Sequence, residues 1–339
     1  NRTYLSTPNP RILQFFREFF GYYKAHEVFK DVDKFKQRDG FKQFVQGSAA
    51  KLSYDTDSLI RHILQEDRNV LYELLTTDKV VVAYWNGKND TQQIQRARGE
   101  ENYRQTHLVQ SYNLDPFEQE YDMDKTTDRV LRQNGKAFRL PKSQRCGILT
   151  QPSWLIAHSG NFDNDPVRRG KWIREKLLAG VVMDVPINVD AQIPDDEHKT
   201  LRERFSVVHA AECWRCHKKM NPLGMPFEAF NHVGRWRPTE QDKPVNTTGA
   251  ITHTGDTSIE GDVENVREMM QRLAKSDLVR QSFIRHVFRY WMGRVRSALS
   301  AVALRAEPLA GKVDIRAAGD RGGGVDVAPC NRTVFRSEE

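Results

Sequence analysis

Cys213-Trp214-Arg215-Cys216-His217 is the stretch of this chain whose residue types and spacing carry the most chemistry. Two thiols at positions i and i+3, the second followed directly by an imidazole, can form thioethers to the vinyl groups of a haem while the histidine meets the iron. One helical turn then holds the macrocycle at three points. The same cysteines suit a zinc knuckle or a reactive dithiol, but zinc needs four ligands. Cys146 or Cys330 is available, yet the chain has no second C-x-x-C pair. The reading taken forward is one covalently attached haem c, on Cys213 and Cys216, with His217 as proximal iron ligand. Because such attachment takes place outside the cytoplasm, the motif also implies a periplasmic or extracellular location.

The second axial ligand is not written in the motif. Met220 follows His217 so closely that it shares the same side of the ring, and Met225 is little better placed. Met269, Met270, His286 and Met292 lie far enough along the chain to approach from the opposite side, with Met292 or His286 as the first candidates. A methionine on an amphipathic helix is more often packing than ligand, and an open sixth position is equally allowed. Haem propionates invite arginine, whose guanidinium binds carboxylates bidentately. Arg168, Arg169, Arg235, Arg237 and Arg294 stand beside glycines or aromatics in ordered-looking stretches. Trp214, Trp236 and Trp291 read better as core than as haem lining.

Other chemistry is thin. Asn161, Asp163, Asn164 and Asp165 resemble a cation loop without the glycine and distal glutamate of an EF-hand, so a capped turn is the better reading. No phosphate-cradling glycine loop or nucleophile elbow occurs. The formal charge is +7, but 52 basic residues are interspersed with 45 acidic ones over 339 positions, which argues a mixed solvated surface rather than nucleic-acid binding. No apolar run approaches the ~20 residues of a membrane span. The opening Asn1-Arg2-Thr3-Tyr4-Leu5-Ser6 lacks the layout of a signal peptide, so a processed form or a fragment is expected.

The elements that must position the motif are mostly helical. Apolar periodicity predicts helices over 9–29, 54–77 (capped by Asp57 or Ser58), 167–178 (stopped by Gly180), 197–212, 263–275 and 277–293, while strand signals are few. The expected fold is mainly α, a helical cytochrome-like haem domain over 146–294 preceded by a helical domain over 1–85. Residues 86–145 are polar and aperiodic and read as a loop or linker.

From Gly147 to Arg294 the chain resembles the secreted planctomycete-type c-type cytochromes assembled from consecutive domains of unknown function. The residues that carry the resemblance are Gly147-Ile148-Leu149-Thr150, Asp165-Pro166-Val167-Arg168-Arg169-Gly170-Lys171-Trp172, the haem pentapeptide with Met220-Asn221-Pro222-Leu223-Gly224, Val233-Gly234-Arg235-Trp236-Arg237, and Tyr290-Trp291-Met292-Gly293-Arg294. Residues 9–85 resemble the end of the domain that precedes it in that family. The resemblance implies secretion and a monohaem member, and it names no reaction. Residues 295–339 depart from the family pattern, being rich in Ala, Arg and Gly, and are expected to be a flexible tail or a misassigned stretch.

Three functions fit. Electron transfer through the haem, to a redox partner protein, needs nothing beyond the pentapeptide. A peroxidase-like or oxidase-like haem enzyme would keep the sixth position open, using the 86–145 loop as a cover and His158 or His286 as acid and base. A haem-bearing structural subunit of an extracellular assembly is the third.

Overall fold

The computed structural model describes residues 10–31, 47–81, 137–182, 193–196 and 198–293. Its first helix, α1 (Pro10–Phe20), buries Ile12, Leu13, Phe15, Phe16, Phe19 and Phe20. The helix expected to reach residue 29 ends at Gly21, whose φ of 71° turns the chain into a 3-10 segment, Tyr22–Glu27. Only glycine takes that conformation without a steric penalty.

The second expected helix starts earlier and breaks. It comprises α2 (Gly47–Glu66) and α3 (Val70–Thr76), separated where Asp67 and Asn69 adopt φ of 49° and 44°. Asp57 is therefore no cap. It lies inside α2, 1% exposed, and accepts Arg17 Nε at 3.0 Å, Arg17 Nη2 at 2.5 Å and the Tyr22 hydroxyl at 2.5 Å. A buried carboxylate survives there because a cation and a phenol from α1 and its extension close over it.

Strand β1 (Lys79–Val81) pairs antiparallel with β2 (Ala137–Arg139), Val80 opposite Phe138. The end of the stretch assigned to a linker thus returns to the fold; the rest of it, 86–136, lies outside the described residues, as do residues 295–339 and Arg294.

Helices α4 (Pro152–Ala157) and α5 (Pro166–Trp172) follow. Asp165 caps α5 by accepting the Arg168 backbone N–H at 2.8 Å, so the apparent cation loop is the capped turn expected of it. α5 runs on as a wide π turn, Ile173–Leu177, and ends where Gly180 N–H bonds the Arg174 carbonyl at 2.8 Å. The helix expected over 197–212 is instead α6 (Leu201–Arg204), with a Thr200–Glu203 capping box, and a 3-10 turn, Phe205–His209.

The motif helix α7 (Ala211–His217) and the short α8 (Asn221–Gly224) lead to two small hairpins. These are β3 (Thr239–Glu240) with β4 (Lys243–Pro244), and β5 (Gly249–Ile251) with β6 (Gly261–Val263). Helices α9 (Val266–Lys275) and α10 (Asp277–Met292), capped by Asn265 and Ser276, close the described chain close to their expected bounds. The fold is mainly α.

One apolar cluster joins residues that the sequence assigns to separate domains. Phe16, Ile60, Ile63 and Leu75 share it with Trp154, Trp172, Met269 and Phe283. Its centre is aromatic: Phe19 meets Trp172 edge-on at 5.6 Å, and Trp172 meets Trp154 at 5.5 Å. Among the described residues no helix is long and apolar enough to cross a membrane.

Candidate functional site

Helix α7 carries the pentapeptide on the outside of this core. None of its residues is buried, and Cys213 and Cys216 are half-exposed free thiols one turn apart. Cys213 leans on a small second cluster of Leu201, Phe205, Val208 and Met225. Trp214 stands edge-on to His209 at 4.7 Å, and His217 follows it at i+3 on the same helical face.

The His217 ring is held. Its Nδ1 lies 3.0 Å from Asn221 Oδ1. An amide oxygen only accepts, so Nδ1 carries the proton and Nε2 keeps the lone pair that a metal would use.

Asn221 is itself fixed by close backbone packing. A Cβ on Gly170 of α5 would lie 1.9 Å from the Met220 carbonyl oxygen, and one on Gly224 of α8 would lie 1.8 Å from that of Pro166. From the other side, a Cβ on Gly249 of β5 would come within 2.3 Å of the Pro222 carbonyl oxygen. Three glycines thus let α5 and β5 press directly on residues 220–224, and the turn bearing Asn221 cannot shift without moving the core.

Beside the motif lies a groove of about 870 Å³, into which Trp214, Asn221, His209 and Met225 project. Its charged lining is Arg202 and Arg272 together with Asp262, Glu264 and Glu268. Arg202 Nη2 donates to the Thr248 carbonyl at 2.5 Å, and Arg272 pairs with Glu268. Asn221 is 3% exposed, and its Nδ2 has no partner among the described residues. The groove is lined by Trp214 and Asn221 but not by Cys213, Cys216 or His217. Two half-exposed thiols one turn apart and an imidazole held through Nδ1 still suit a haem attached at this pentapeptide.

They suit zinc less well. Cys146 is 3% exposed, its thiol turned to the Leu75 and Thr76 carbonyls at 3.8 Å, and burial pushes its pKa up to about 12. Among the described residues no three His, Cys, Asp or Glu side chains gather to hold a metal ion. Cys330 lies outside the described residues.

The expected distal ligands are placed elsewhere. His286 packs against the Phe19 ring at 5.2 Å, where burial lowers its pKa to about 4. Met292 ends α10, 40% exposed, and neither residue lines the groove. Met269 and Met270 are wholly inside the core, and Met220 is buried. The groove holds Met225, whose spacing from His217 argues against it, and His209, which is not among the candidates from sequence. A signal existed, since His209 precedes Cys213 by four residues, but the extended Ala210 between them breaks the helical register.

Of the arginines chosen from sequence, Arg294 lies outside the described residues and the other four have structural partners. Arg169 is fully buried, donating to the Phe227 and Leu155 carbonyls at 3.3 and 3.4 Å and to Asn164 Oδ1 at 3.2 Å. Arg237 pairs with Glu240 at 3.2 Å and Glu228 at 3.7 Å, and Arg168 with Asp165 at 3.3 Å. The Arg235 backbone N–H bonds Asn231 Oδ1 at 2.9 Å. Of the three tryptophans expected in the core, Trp236 and Trp291 pack against it, whereas Trp214 lines the groove. His158 stacks on Trp154 at 4.3 Å, and burial lowers its pKa to about 3, so it is a neutral core residue away from the groove.

Residues 145–240 match the model of a family described as PSCyt3, protein of unknown function (DUF1588). No curated protein and no solved structure matches the chain. The matched span runs from Arg145 through both α5 and the pentapeptide, and it agrees with a planctomycete-type cytochrome-associated domain family.

Proposed function

We propose that this chain is a monohaem c-type cytochrome of the secreted planctomycete type, periplasmic or extracellular, which passes electrons to a redox partner protein. The observation that carries the reading is an unburied C-x-x-C-H helix whose histidine is held through Nδ1 by Asn221, which leaves Nε2 as its metal-binding nitrogen. Haem, when bound, supplies one-electron chemistry at the iron. The chain's own residues do the rest. Cys213 and Cys216 would fix its position covalently, His217 would offer Nε2, and Trp214 with Met225 gives the adjoining groove an apolar wall.

The test is expression in a host competent for c-type haem attachment. The haem spectrum should persist after denaturation and organic extraction, and should be lost in the Cys213→Ala, Cys216→Ala double variant. Purified protein without covalent haem, with both thiols free to alkylation, overturns the reading.

The placement of His286 and Met292 away from the groove favours a second reading, a haem enzyme with an open sixth position. Carbon monoxide decides between the two: a low-spin ferrous spectrum unchanged by the gas supports electron transfer, and a carbonyl adduct supports the enzyme.

A further inference from the structure

We infer that Asn221 is the positioning residue that sets the donor strength of the His217 imidazole, and so the reduction potential of a haem carried at Cys213 and Cys216. The inference rests on the haem reading above and goes past it, because the pentapeptide alone says nothing about how strongly the histidine donates.

An imidazole gives more electron density through Nε2 when its Nδ1–H is drawn toward an acceptor, and the acceptor's charge sets how far. Here the acceptor is a neutral side-chain amide oxygen at 3.0 Å. The residue is only 3% exposed and therefore does not exchange this bond for water. The residues on either side of it are pressed by neighbouring backbone, Met220 by Gly170 and Pro222 by Gly249, each packed where even a methyl group would collide with main chain. A neutral acceptor held at fixed distance stabilises ferric iron less than a carboxylate would and more than no acceptor would. Asn221 Nδ2 needs no second role in this argument; Oδ1 alone makes the bond.

Two near-isosteric variants of the haem-loaded protein test the point. Asn221→Asp places a formal negative charge on the acceptor at unchanged geometry. At about pH 8, well above the ordinary carboxylate range of ~4, the ferric-to-ferrous ratio at fixed ambient potential should rise about tenfold, a fall of about 59 mV for one electron. Asn221→Leu removes the acceptor, and the same ratio should fall by about threefold. The opposite signs are the diagnostic, since loosening the fold alone would move both variants in one direction. On the unaltered protein, proton NMR of the ferrous state should show a slowly exchanging Nδ1 proton on His217, which needs no variant to fold. Absence of covalent haem from the unaltered protein defeats the functional reading itself. Covalent haem with no protected Nδ1 proton, or with potentials that move in the same direction or not at all in the two variants, overturns this inference and leaves that reading standing.

Discussion

Replacing Gly170 by alanine should be among the most damaging small substitutions in the chain, and its magnitude follows from the geometry. Gly170 lies within helix α5 with an ordinary negative φ, so nothing in its own backbone demands glycine. Helix propensity alone would make the alanine variant more stable by about 1 kcal/mol. Against this stands a methyl carbon 1.9 Å from the Met220 carbonyl oxygen and 2.6 Å from its carbonyl carbon. A real contact needs more than an ångström of extra separation, and both atoms belong to main chain, so no rotamer change relieves it. Displacing one packed backbone against another costs ~3 kcal/mol, the upper part of the usual overpacking range, and this exceeds the propensity gain. For a chain of this size the net loss of about 2 kcal/mol lowers the midpoint by roughly 4–8 °C. Thermal and urea unfolding of Gly170→Ala, followed by circular dichroism, reads the effect. Gly160→Ala serves as the control, since its Cβ would sit 3.3 Å from Asp163 O and needs only a small adjustment. A Gly170→Ala variant as stable as the unaltered protein, or more so, would refute the claim that α5 touches the Met220 backbone directly.

Further outcomes test other parts of the structure. His158 is neutral in the fold, with its pKa lowered to about 3 against about 6.5 unfolded. The unfolded chain therefore binds the extra proton first, and stability present above ~6.5 should be lost as pH falls toward ~3, at about 1.4 kcal/mol per pH unit; His158→Phe should flatten that slope in acid titrations of unfolding. Cys146, with its thiol at about 12, should resist iodoacetamide in the folded protein and react only on unfolding, as read by mass spectrometry of the tryptic peptide. Arg169→Met should cost about 3–5 kcal/mol in denaturant titrations, because it strips a buried guanidinium from Asn164, two carbonyls and the buried Glu228 carboxyl. A loss below about 1 kcal/mol would mean that those groups find water instead.

What the sequence determined by itself is local in origin. The pentapeptide is a string of adjacent residues, and the haem attachment proposed for it depends on an i, i+3, i+4 spacing that any helical turn supplies. The helical character of 10–20, 266–275 and 277–292 likewise follows from apolar periodicity and from Asn and Ser caps within the same segments. Asp165 reads correctly as a cap because the group it satisfies is three residues away.

The tertiary structure decided whatever depended on residues distant in sequence. Asp57 looks like a cap until Arg17 and Tyr22, 40 and 35 positions earlier, enclose it. Arg169 and Arg237 look available until buried carbonyls and carboxyls take them up. His286 and Met292 satisfy the requirement of being far along the chain, but α10 packs on α1 and turns them to an aromatic layer and to solvent rather than to the groove. Trp214 looks like core and instead faces the groove, because α7 buries none of its residues. Asn221 is the clearest case. Its type and its i+4 relation to His217 are plain in the sequence, but that relation crosses the end of α7, where helical spacing no longer dictates contact. The close approach of Gly170 to Met220 and of Gly249 to Pro222, one from a preceding helix and one from a following strand, fixes the turn on which the amide meets the imidazole Nδ1.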